Sequence, residues 1–390
     1  MSYEKMSDKA YSAAGWFRRK SLQSALGSEF ADMHSTLGVQ HISSREYRCG
    51  ILPYWKSLGR RPRRFWFELF GSKDGIIDPE FVPADIYYTE LLPYINSFDL
   101  YYASSDKCYQ DYWFPEVRQA QTVCRRISGL YFDAAMHMIP EREAVRLCLG
   151  HEGGLVIKPS VYSSNSFGIH MVDPSCCDEE EILGIFNDVG ADLIAQDRIM
   201  QHPRHADLNP ASVNTVRVNS SLTGEGLCIP SSSIRVGAPG EARVSVGSGG
   251  FFAEILDDDS LSRNALIDSV EWKDPGRGRE EKMQHTMKWT ADGANGRYDA
   301  GFRIPAMDKI RSQVRMLHPR LAHFRWIGWD WTVDEEGEPV LIEFNGSPGI
   351  IVSQMISARP VFGEMTGWIL EDYFIHRTWE KQHRKGFVYR

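Results

Sequence analysis

The sequence lacks a long apolar run, an excess of positive charge and any spaced cysteine motif, and each absence excludes a class of protein. No window approaches the roughly 18 apolar residues that span a bilayer, so no transmembrane helix is expected. The net charge of -8 argues against a general nucleic-acid binder, which needs a basic surface. None of the 7 cysteines forms a Cys-x-x-Cys pair, so no zinc site is expected.

Several further signatures are missing. There is no Gly-x-x-x-x-Gly-Lys-Ser/Thr run, so a P-loop nucleotide site is unsupported, and no Gly-x-Ser-x-Gly nucleophile elbow. The first 20 residues are polar and carry no apolar segment of a secretory signal. The odd number of cysteines without framework spacing indicates reduced thiols. Together these features predict a cytoplasmic location.

The composition is that of an ordinary globular protein. The chain has 390 residues, enough for two or three domains, with 42% hydrophobic and 25% charged residues. Strands alternate with interspersed helices, which predicts an α+β fold. Hairpin patterns after residue 213 favour antiparallel sheets over a doubly wound one.

The most informative feature is a hairpin predicted from residues 326–333 and 340–345, joined by a polar turn with Gly and Pro. Side chains alternate between the two faces of a strand. Asp330 therefore shares a face with glycine and threonine on the first strand. On the second strand Glu343 and Asn345 share a face.

The register of this hairpin decides what these groups do. If Val333 pairs with Val340, Asp330 lies directly opposite Glu343. Like charges in that position destabilise a sheet, so something positive should hold them, and hard oxygen ligands suit Mg²⁺. The alternative is a surface hairpin with one solvated face.

Three cations on other predicted strands suit anionic ligands. Lys158 ends a short buried strand before a loop rich in Ser, Asn and Gly, an arrangement that can cradle a polyphosphate. Arg217 and Arg235 each interrupt an apolar face, and guanidinium groups bind phosphate or carboxylate through two hydrogen bonds. For each arginine, a structural salt bridge is an equally good interpretation.

Three other segments have less specific patterns. The glycine-rich segment 246–251 is interpreted as a loop that could be a hinge or a lid over phosphates. Asp-Asp-Asp at 257–259 could hold Mn²⁺ for a sugar-nucleotide transferase, but is better explained as the cap of a following helix. Residues 271–300 are polar and are predicted to be a mobile, irregular insertion.

The order of these elements resembles the ATP-grasp superfamily, which includes D-alanine–D-alanine ligase and glutathione synthetase. The strand Glu343-Phe344-Asn345, followed by Gly346-Ser347-Pro348-Gly349, is similar to the metal-binding end of that fold. Gln201-His202-Pro203, Ser212 to Arg217 and Ile234 to Gly237 resemble the sugar-transfer-associated ATP-grasp group. The resemblance covers about residues 100–350.

This resemblance implies an architecture: two α+β subdomains that clasp ATP, behind a mostly helical N-terminal extension. The expected ranges are 1–105 for the N-terminal domain, 106–200 for the first subdomain and 201–390 for the second subdomain with the metal site and C-terminal helices. The ranges 1–105 and 271–300 are expected to shape the acceptor pocket.

The resemblance also implies residue roles. The expected catalytic residues are Arg217, Arg235 and Lys158. The expected ATP-binding residues are Lys107, Lys158, Gln196, Asp197, Ile199, Asn214 and Arg217. The expected Mg²⁺ ligands are Asp330, Glu343 and Asn345.

The implied function is an ATP-dependent carboxylate–amine ligase that forms an amide bond through an acyl phosphate. The expected partners are a small-molecule or peptide carboxylate and amine, without nucleic acid or a membrane span, and the substrate classes considered are sugar, amino acid and peptide. The alternatives are a phosphotransferase at the same ATP site and a non-catalytic nucleotide-binding protein.

Overall fold

The computed structural model describes residues 37–161, 168–241, 248–273, 282–299 and 301–377, together with 21, 26, 30 and 33–35. The thirteen strands of these ranges are β1 (Thr122–Ile127), β2 (Leu130–Asp133), β3 (Met138–Ile139), β4 (Leu155–Pro159), β5 (His170–Val172), β6 (Leu193–Asp197), β7 (Thr215–Thr223), β8 (Gly226–Val236), β9 (Ser248–Ile255), β10 (Leu261–Lys273), β11 (Lys282–Thr290), β12 (Trp326–Val333) and β13 (Pro339–Asn345).

Helices precede, separate and follow the strands. The α-helices are Ser44–Glu46, Leu52–Ser57, Arg64–Phe70, Ala84–Ile86, Leu92–Ile95, Phe98–Ser104, Gln110–Trp113, Glu141–Leu149, Glu179–Val189, Pro203–Ala206, Gly293–Gly296, Met307–Leu317, Ile351–Ser357 and Thr366–Glu371. The π-helical turns are Tyr47–Ile51, Tyr87–Leu91 and Asp372–His376. The 3₁₀ turns are Gly71–Lys73, Lys107–Tyr109, Pro174–Cys176, His318–Leu321 and Gly363–Met365.

The strands form two antiparallel sheets. The six-stranded sheet has the order β3-β2-β1-β6-β4-β5, and the seven-stranded sheet has the order β11-β10-β9-β8-β7-β12-β13. The α+β class, the mostly helical N-terminal region within the described residues and the antiparallel hairpins after residue 213 are therefore confirmed. No helix in the described ranges is long and apolar enough to cross a membrane.

Local sequence explains where the long helices lie. Asp178 caps the helix Glu179–Val189 through a reciprocal capping box with Glu181. Gly190 follows this helix with a φ of 97°, a backbone angle that glycine adopts without strain. In the helix Met307–Leu317 the buried residues recur every three or four positions, which matches one face of an α-helix.

Three apolar clusters hold the molecule together. One lies between the six-stranded sheet and the helices Glu141–Leu149 and Glu179–Val189. A second packs the helix Met307–Leu317 against the seven-stranded sheet. The third joins the N-terminal helices to the C-terminal helices and reaches Trp326 on β12. Every residue of β12 is buried, because this strand has packed residues on both faces.

The expected glycine-rich loop at 246–251 is wrong for the described part, because β9 begins at Ser248. β9 pairs with β8 through Val236 and Phe251. A Cβ added to Gly250 would lie 2.4 Å from the carbonyl oxygen of Val236. The glycine therefore allows close approach of two strands, and the described residues here form no lid. Residues 246 and 247 lie outside the described ranges.

The predicted irregular insertion at 271–300 is also wrong over its described residues. β10 continues to Lys273, and β11 pairs with it from Lys282 to Thr290. Polar residues fit such strands when one side of the sheet is solvated. Residues 274–281 and 300 lie outside the described ranges.

The expected helix cap at 257–259 is a turn between two strands. The Asp258 carboxylate accepts hydrogen bonds from the amide and hydroxyl of Ser260. β10 follows from Leu261, so the acidic run supports a hairpin and caps no helix.

Candidate functional site

The β12–β13 hairpin places Asp330 opposite Glu343, as the alternation predicts. The register nearer the turn differs, because Thr332 pairs with Val340 and Val333 pairs with Pro339. A β-bulge on the turn side of Asp330 absorbs the one-residue difference. The predicted pairing of the two carboxylates is therefore confirmed, and the predicted pairing of Val333 with Val340 is wrong.

The same bulge changes which side chains of β13 face the core. Without it, Leu341 would share a face with Glu343. In the structure Leu341 lies in the same apolar cluster as Phe344, with 1% and 6% of their surfaces exposed. Glu343 and Asn345 remain partly exposed. The bulge thus buries an apolar residue that simple alternation assigns to the polar face.

Asp330 is held by Arg217, its direct neighbour on β7. The guanidinium donates from Nε to Oδ1 at 2.5 Å and from Nη2 to Oδ2 at 2.7 Å. Burial lowers the pKa of Arg217, but the charge of Asp330 outweighs it and leaves the pKa raised. A Cβ on Gly328 would lie 3.2 Å from Arg217 Cδ, so this glycine makes room for the arginine. The pair is fixed by neighbouring strands of one sheet.

Glu343 is held by Lys107 on the 3₁₀ turn Lys107–Tyr109, whose Nζ lies 3.0 Å from Oε2. The Lys107 amide donates to the carbonyl of Ser160, just after β4. Burial raises the pKa of Glu343, but the charges of Lys107, Lys158 and Arg217 more than offset this effect and lower it. Glu343 is therefore ionised at neutral pH, and its ion pair joins β13 to the turn that is hydrogen-bonded beside β4.

Two further cations have no carboxylate partner among the described residues. Lys158 on β4 has its pKa lowered to about 8, first by burial and then by repulsion from Lys107. Arg235 on β8 has its pKa lowered by burial, and its Nη2 is buried without a hydrogen-bond partner. The Arg235 guanidinium lies 5.6 Å from the centre of the Phe252 ring. Each sheet therefore contributes one cation that is available to an anion.

The charges at this site leave a positive excess. The cations Lys107, Lys158, Arg217 and Arg235 face the carboxylates Asp330, Glu343 and Asp268, as shown by the ion pairs and by the effects of these charges on pKa values. Four positive and three negative groups give a net charge of +1. The repulsion that suggested a metal is relieved by Arg217 and Lys107. The excess charge instead suits a bound polyanion.

Asn345 organises the loop after the hairpin. Its Oδ1 accepts hydrogen bonds from the Ser347 amide at 2.8 Å and the Tyr101 hydroxyl at 3.3 Å. Asn96 donates to the Gly346 carbonyl at 2.6 Å. The N-terminal helices thus hold this loop against the site. The sequence analysis missed Tyr101 and Asn96, because neither belongs to a recognisable motif.

The expected nucleotide hinge lies at the end of β6. The Gln196 amide donates to the carbonyl of Ala120 at 3.2 Å, and His151 Nε2 lies 2.9 Å from Asp197 Oδ1. Burial raises the pKa of Asp197, and His151 opposes that effect. Ile199 follows the strand and is partly buried. Strand pairing connects this hinge to β4, the strand that carries Lys158.

Asn214 lies in a different environment from the other expected ATP ligands. It is fully buried, and its amide donates to the carbonyls of His205 at 2.6 Å and Asn209 at 3.0 Å. Its backbone amide donates to Gln201 Oε1 at 3.0 Å. These bonds position the start of β7, the strand that carries Arg217. A direct contact between Asn214 and a nucleotide stays a prediction.

No protein-family model and no curated protein matches the sequence. The solved structures that are similar to this chain include three ligases or synthetases. They are the ATP-grasp ligase PsnB with a minimal precursor (14% identity, TM-score 0.36, 71% of this chain and 63% of that chain), D-alanyl-alanine synthetase A from Vibrio cholerae (11%, 0.40, 70% and 66%) and D-cycloserine synthetase DcsG (14%, 0.37, 73% and 73%). This chain spans just under two thirds of the length of the first two. The sequence identities and TM-scores are too low to assign a function, so the function must be argued from the geometry of the site.

Proposed function

We propose that the chain is an ATP-grasp enzyme, an ATP-dependent ligase that joins a carboxylate to an amine. The observation that carries this proposal is the arrangement of charge between the two sheets. Among the described residues, each sheet supplies one cation without a carboxylate partner, Lys158 and Arg235, beside the facing carboxylates Asp330 and Glu343. Fixed positive charge of this kind suits the phosphates of a nucleotide.

The residues present fit a magnesium nucleotide. The orphaned Nη2 of Arg235 is a buried donor that an anionic oxygen would satisfy. Glu343 keeps 33% of its side chain exposed although it is paired with Lys107, so its carboxylate is accessible to a cation. Asp330 and Glu343 would hold Mg²⁺, an ion that accepts hard oxygen ligands, through lone pairs that Arg217 and Lys107 leave free. Asn345 would join them once the ion replaces the Tyr101 hydroxyl on its Oδ1. Such an ion neutralises charge on the phosphates.

The nucleotide would lie along β4 and β6. Asp197 pairs with Leu155 and Ile194 pairs with Lys158, so the hinge and the lysine are three residues apart along the strands. At about 3.3 Å per residue this is roughly 10 Å, a spacing that suits adenine and ribose at one end and phosphates at the other. Gln196, Asp197 and Ile199 would contact the nucleoside, while Lys107 and Lys158 would contact phosphates.

The proposed chemistry has two steps. The substrate carboxylate attacks the γ-phosphorus of ATP, which forms an acyl phosphate and releases ADP. The amine then attacks the carbonyl carbon of the acyl phosphate. The bond from that carbon to the phosphate oxygen breaks, inorganic phosphate leaves, and the amide remains. Lys158 and Arg235 would stabilise negative charge during phosphoryl transfer. Arg217 would contribute through Nη1, because Nε and Nη2 already hold Asp330.

The finer assignment is to the sugar-transfer-associated ATP-grasp group. Two segments of the resemblance support one another physically, since Gln201 Nε2 donates to the carbonyl of Ser212 at 2.8 Å and Gln201 Oε1 accepts from the Asn214 amide. We further propose a peptide or small-molecule carboxylate and amine as substrates. A cytoplasmic location fits the use of ATP and seven cysteines that are all free thiols.

The test is to trap the acyl phosphate. The protein, ATP, Mg²⁺ and a set of carboxylates are incubated with hydroxylamine, and hydroxamate and ADP are measured. We expect both products with the correct carboxylate and neither with Glu343→Gln. Glu338→Gln is the matched control, because Glu338 is a half-exposed glutamate that pairs with Lys309 at 2.6 Å.

The outcome separates the alternatives. ADP and a phosphorylated acceptor without hydroxamate would identify a phosphotransferase. Nucleotide binding without turnover across the carboxylate set would identify a non-catalytic binding protein. Equal turnover by Glu343→Gln and the parent would contradict the assigned role of the hairpin.

A further inference from the structure

A second cluster of polar side chains lies in the N-terminal helical region. Ligand atoms of His34, His41 and Glu68 all lie within 4.8 Å of one another. In the described part of the chain, this is the group of three His, Cys, Asp or Glu side chains close enough to share a metal ion. The sequence analysis missed it, because it considered only the spacing of cysteines.

Glu68 is oriented as a metal-binding carboxylate would be. It lies on the helix Arg64–Phe70 and is only 3% exposed. Its Oε1 accepts the Ile42 amide at 2.9 Å and lies 3.2 Å from Arg64 Nε. Its Oε2 is thereby left to face the imidazoles. Hydrogen bonds of this kind from outside a metal site fix the orientation of a ligand.

Two imidazoles converge on that one oxygen. His34 Nε2 lies 2.8 Å from Glu68 Oε2, and His41 Nδ1 lies 3.4 Å from the same atom. The ring centroids of the two histidines are 5.6 Å apart. Arg64 already supplies a positive partner to Glu68, with Nε 3.2 Å from Oε1. A structural ion pair accounts for one histidine and leaves the second unexplained.

We propose that His34 Nε2, His41 Nδ1 and Glu68 Oε2 bind a Zn²⁺ ion. Two imidazoles and one carboxylate form a known three-residue zinc set that leaves a fourth position open. Metal–ligand bonds of about 2.1 Å in a tetrahedron separate the ligands by roughly 3.4 Å, close to the observed contacts.

A cavity adjoins the proposed site at His41. Its volume is about 450 Å³, and its wall also includes Glu46 and Cys49. Solvent in this cavity therefore reaches one ligand of the proposed site. This site is independent of the proposed ATP chemistry and is carried by different residues.

The test is to titrate the metal-stripped full-length protein with Zn²⁺ against a chromophoric chelator. We expect one tightly bound zinc per chain. Loss of an outer hydrogen bond costs about 10- to 100-fold in metal affinity, so His41→Asn, which removes a ligand, should cost at least ~100-fold. His41 is 75% exposed, so this change should leave the fold intact.

The matched control is His137→Asn. His137 is 79% exposed and lies 3.0 Å from a single carboxylate, Asp133. The His137→Asn substitution should leave zinc affinity unchanged. Glu68→Gln should abolish binding and Arg64→Gln should weaken it, with circular dichroism to verify folding. No tight site in the parent, or equal affinities for the parent, His41→Asn and His137→Asn, would overturn the proposal.

Discussion

The two sides of the candidate site each contribute one paired and one unpaired cation, but the two ion pairs are built by different means. The seven-stranded sheet provides the paired Arg217 and the unpaired Arg235. The six-stranded side provides Lys107, whose partner lies on the other sheet, and the unpaired Lys158. The first ion pair thus lies within one sheet, and the second joins that sheet to the 3₁₀ turn Lys107–Tyr109 beside β4. The first is fixed by strand register, whereas the second depends on how closely this turn approaches β13.

This difference suggests that the two ion pairs and the unpaired cations have different roles. The Arg217–Asp330 pair is largely buried and bidentate, so loss of one partner should destabilise the fold. In the Lys107–Glu343 pair the carboxylate is more exposed, and the pair should mainly hold the turn Lys107–Tyr109 against β13. The unpaired cations cost stability, because burial opposes their charge, and are best explained by binding of an anion.

The largest expected effect comes from breaking the pair within the sheet. Asp330→Asn leaves Arg217 buried without its counter-charge, which should lower the free energy of unfolding by about 3 kcal/mol. Urea denaturation measures this change. Glu338→Gln, in a half-exposed pair with Lys309, should cost less than about 1 kcal/mol. Equal losses would show that burial of the pair does not matter.

Lys158 should dominate the binding of phosphate. Lys158→Met should weaken nucleotide affinity about 10- to 100-fold, because a buried positive charge is lost, whereas Lys158→Arg should retain much of it. Calorimetric titration with ATP and Mg²⁺ measures both. If Lys158→Met binds like the parent, the phosphates lie elsewhere.

The pH dependence follows from the same lysine. Its pKa in the folded protein is about 8, below the ordinary value of 10.5, so the free protein loses this proton as the pH rises through 8. Nucleotide affinity should fall above that pH in the parent and change less in Lys158→Arg. Between pH 8 and 10.5 the unfolded chain binds more protons, so stability should rise with pH relative to Lys158→Met.

Arg235 should show opposite effects on binding and folding. Arg235→Met removes a buried group with an unsatisfied nitrogen, so stability should stay unchanged or rise by about 1 kcal/mol. Nucleotide affinity should fall about tenfold as a phosphate partner is lost. Thermal denaturation and ATP titration measure the two effects. A large loss of stability would show that Arg235 is structural.

The smallest expected effect on stability comes from breaking the Lys107–Glu343 pair. Lys107→Met should cost less than about 1 kcal/mol in stability, because a third of the Glu343 side chain is exposed and solvent screens the pair. It should also raise the pKa of Glu343, since Lys107 lowers it. Carbon-13 NMR of labelled glutamate would follow that titration. An unchanged Glu343 pKa would contradict the pairing.

The sequence predicts the hairpin well because its evidence is local. Alternating apolar residues and a polar turn predict that the two acids face each other, although a bulge shifts the register by one residue on the turn side of Asp330. The β-bulge could not be predicted, because it depends on which of two neighbouring side chains packs better in the core. The sequence also predicts a loop at Gly249 and Gly250, where the structure has a strand. The close approach of Gly250 to Val236 is a contact between strands that the local pattern does not contain.

The partners of the carboxylates could not be derived from local pattern either. Arg217 and Asp330 are 113 residues apart, and only the sheet order makes them neighbours. The sequence therefore predicts which acidic and basic residues belong to the site, but which acid pairs with which cation is decided by the order of the strands. Repulsion between the acids suggested a metal, and the structure supplies Arg217 and Lys107 for the same task.

Nucleotide binding by a double variant tests the central claim most directly. Titration of ATP and Mg²⁺ into the parent should show one site per chain. Lys158→Met combined with Arg235→Met should weaken it at least ~100-fold while the protein stays folded. Lys309→Met, at an exposed pair, should bind like the parent. If the folded double variant binds ATP as tightly as the parent, the two unpaired cations do not form a nucleotide site.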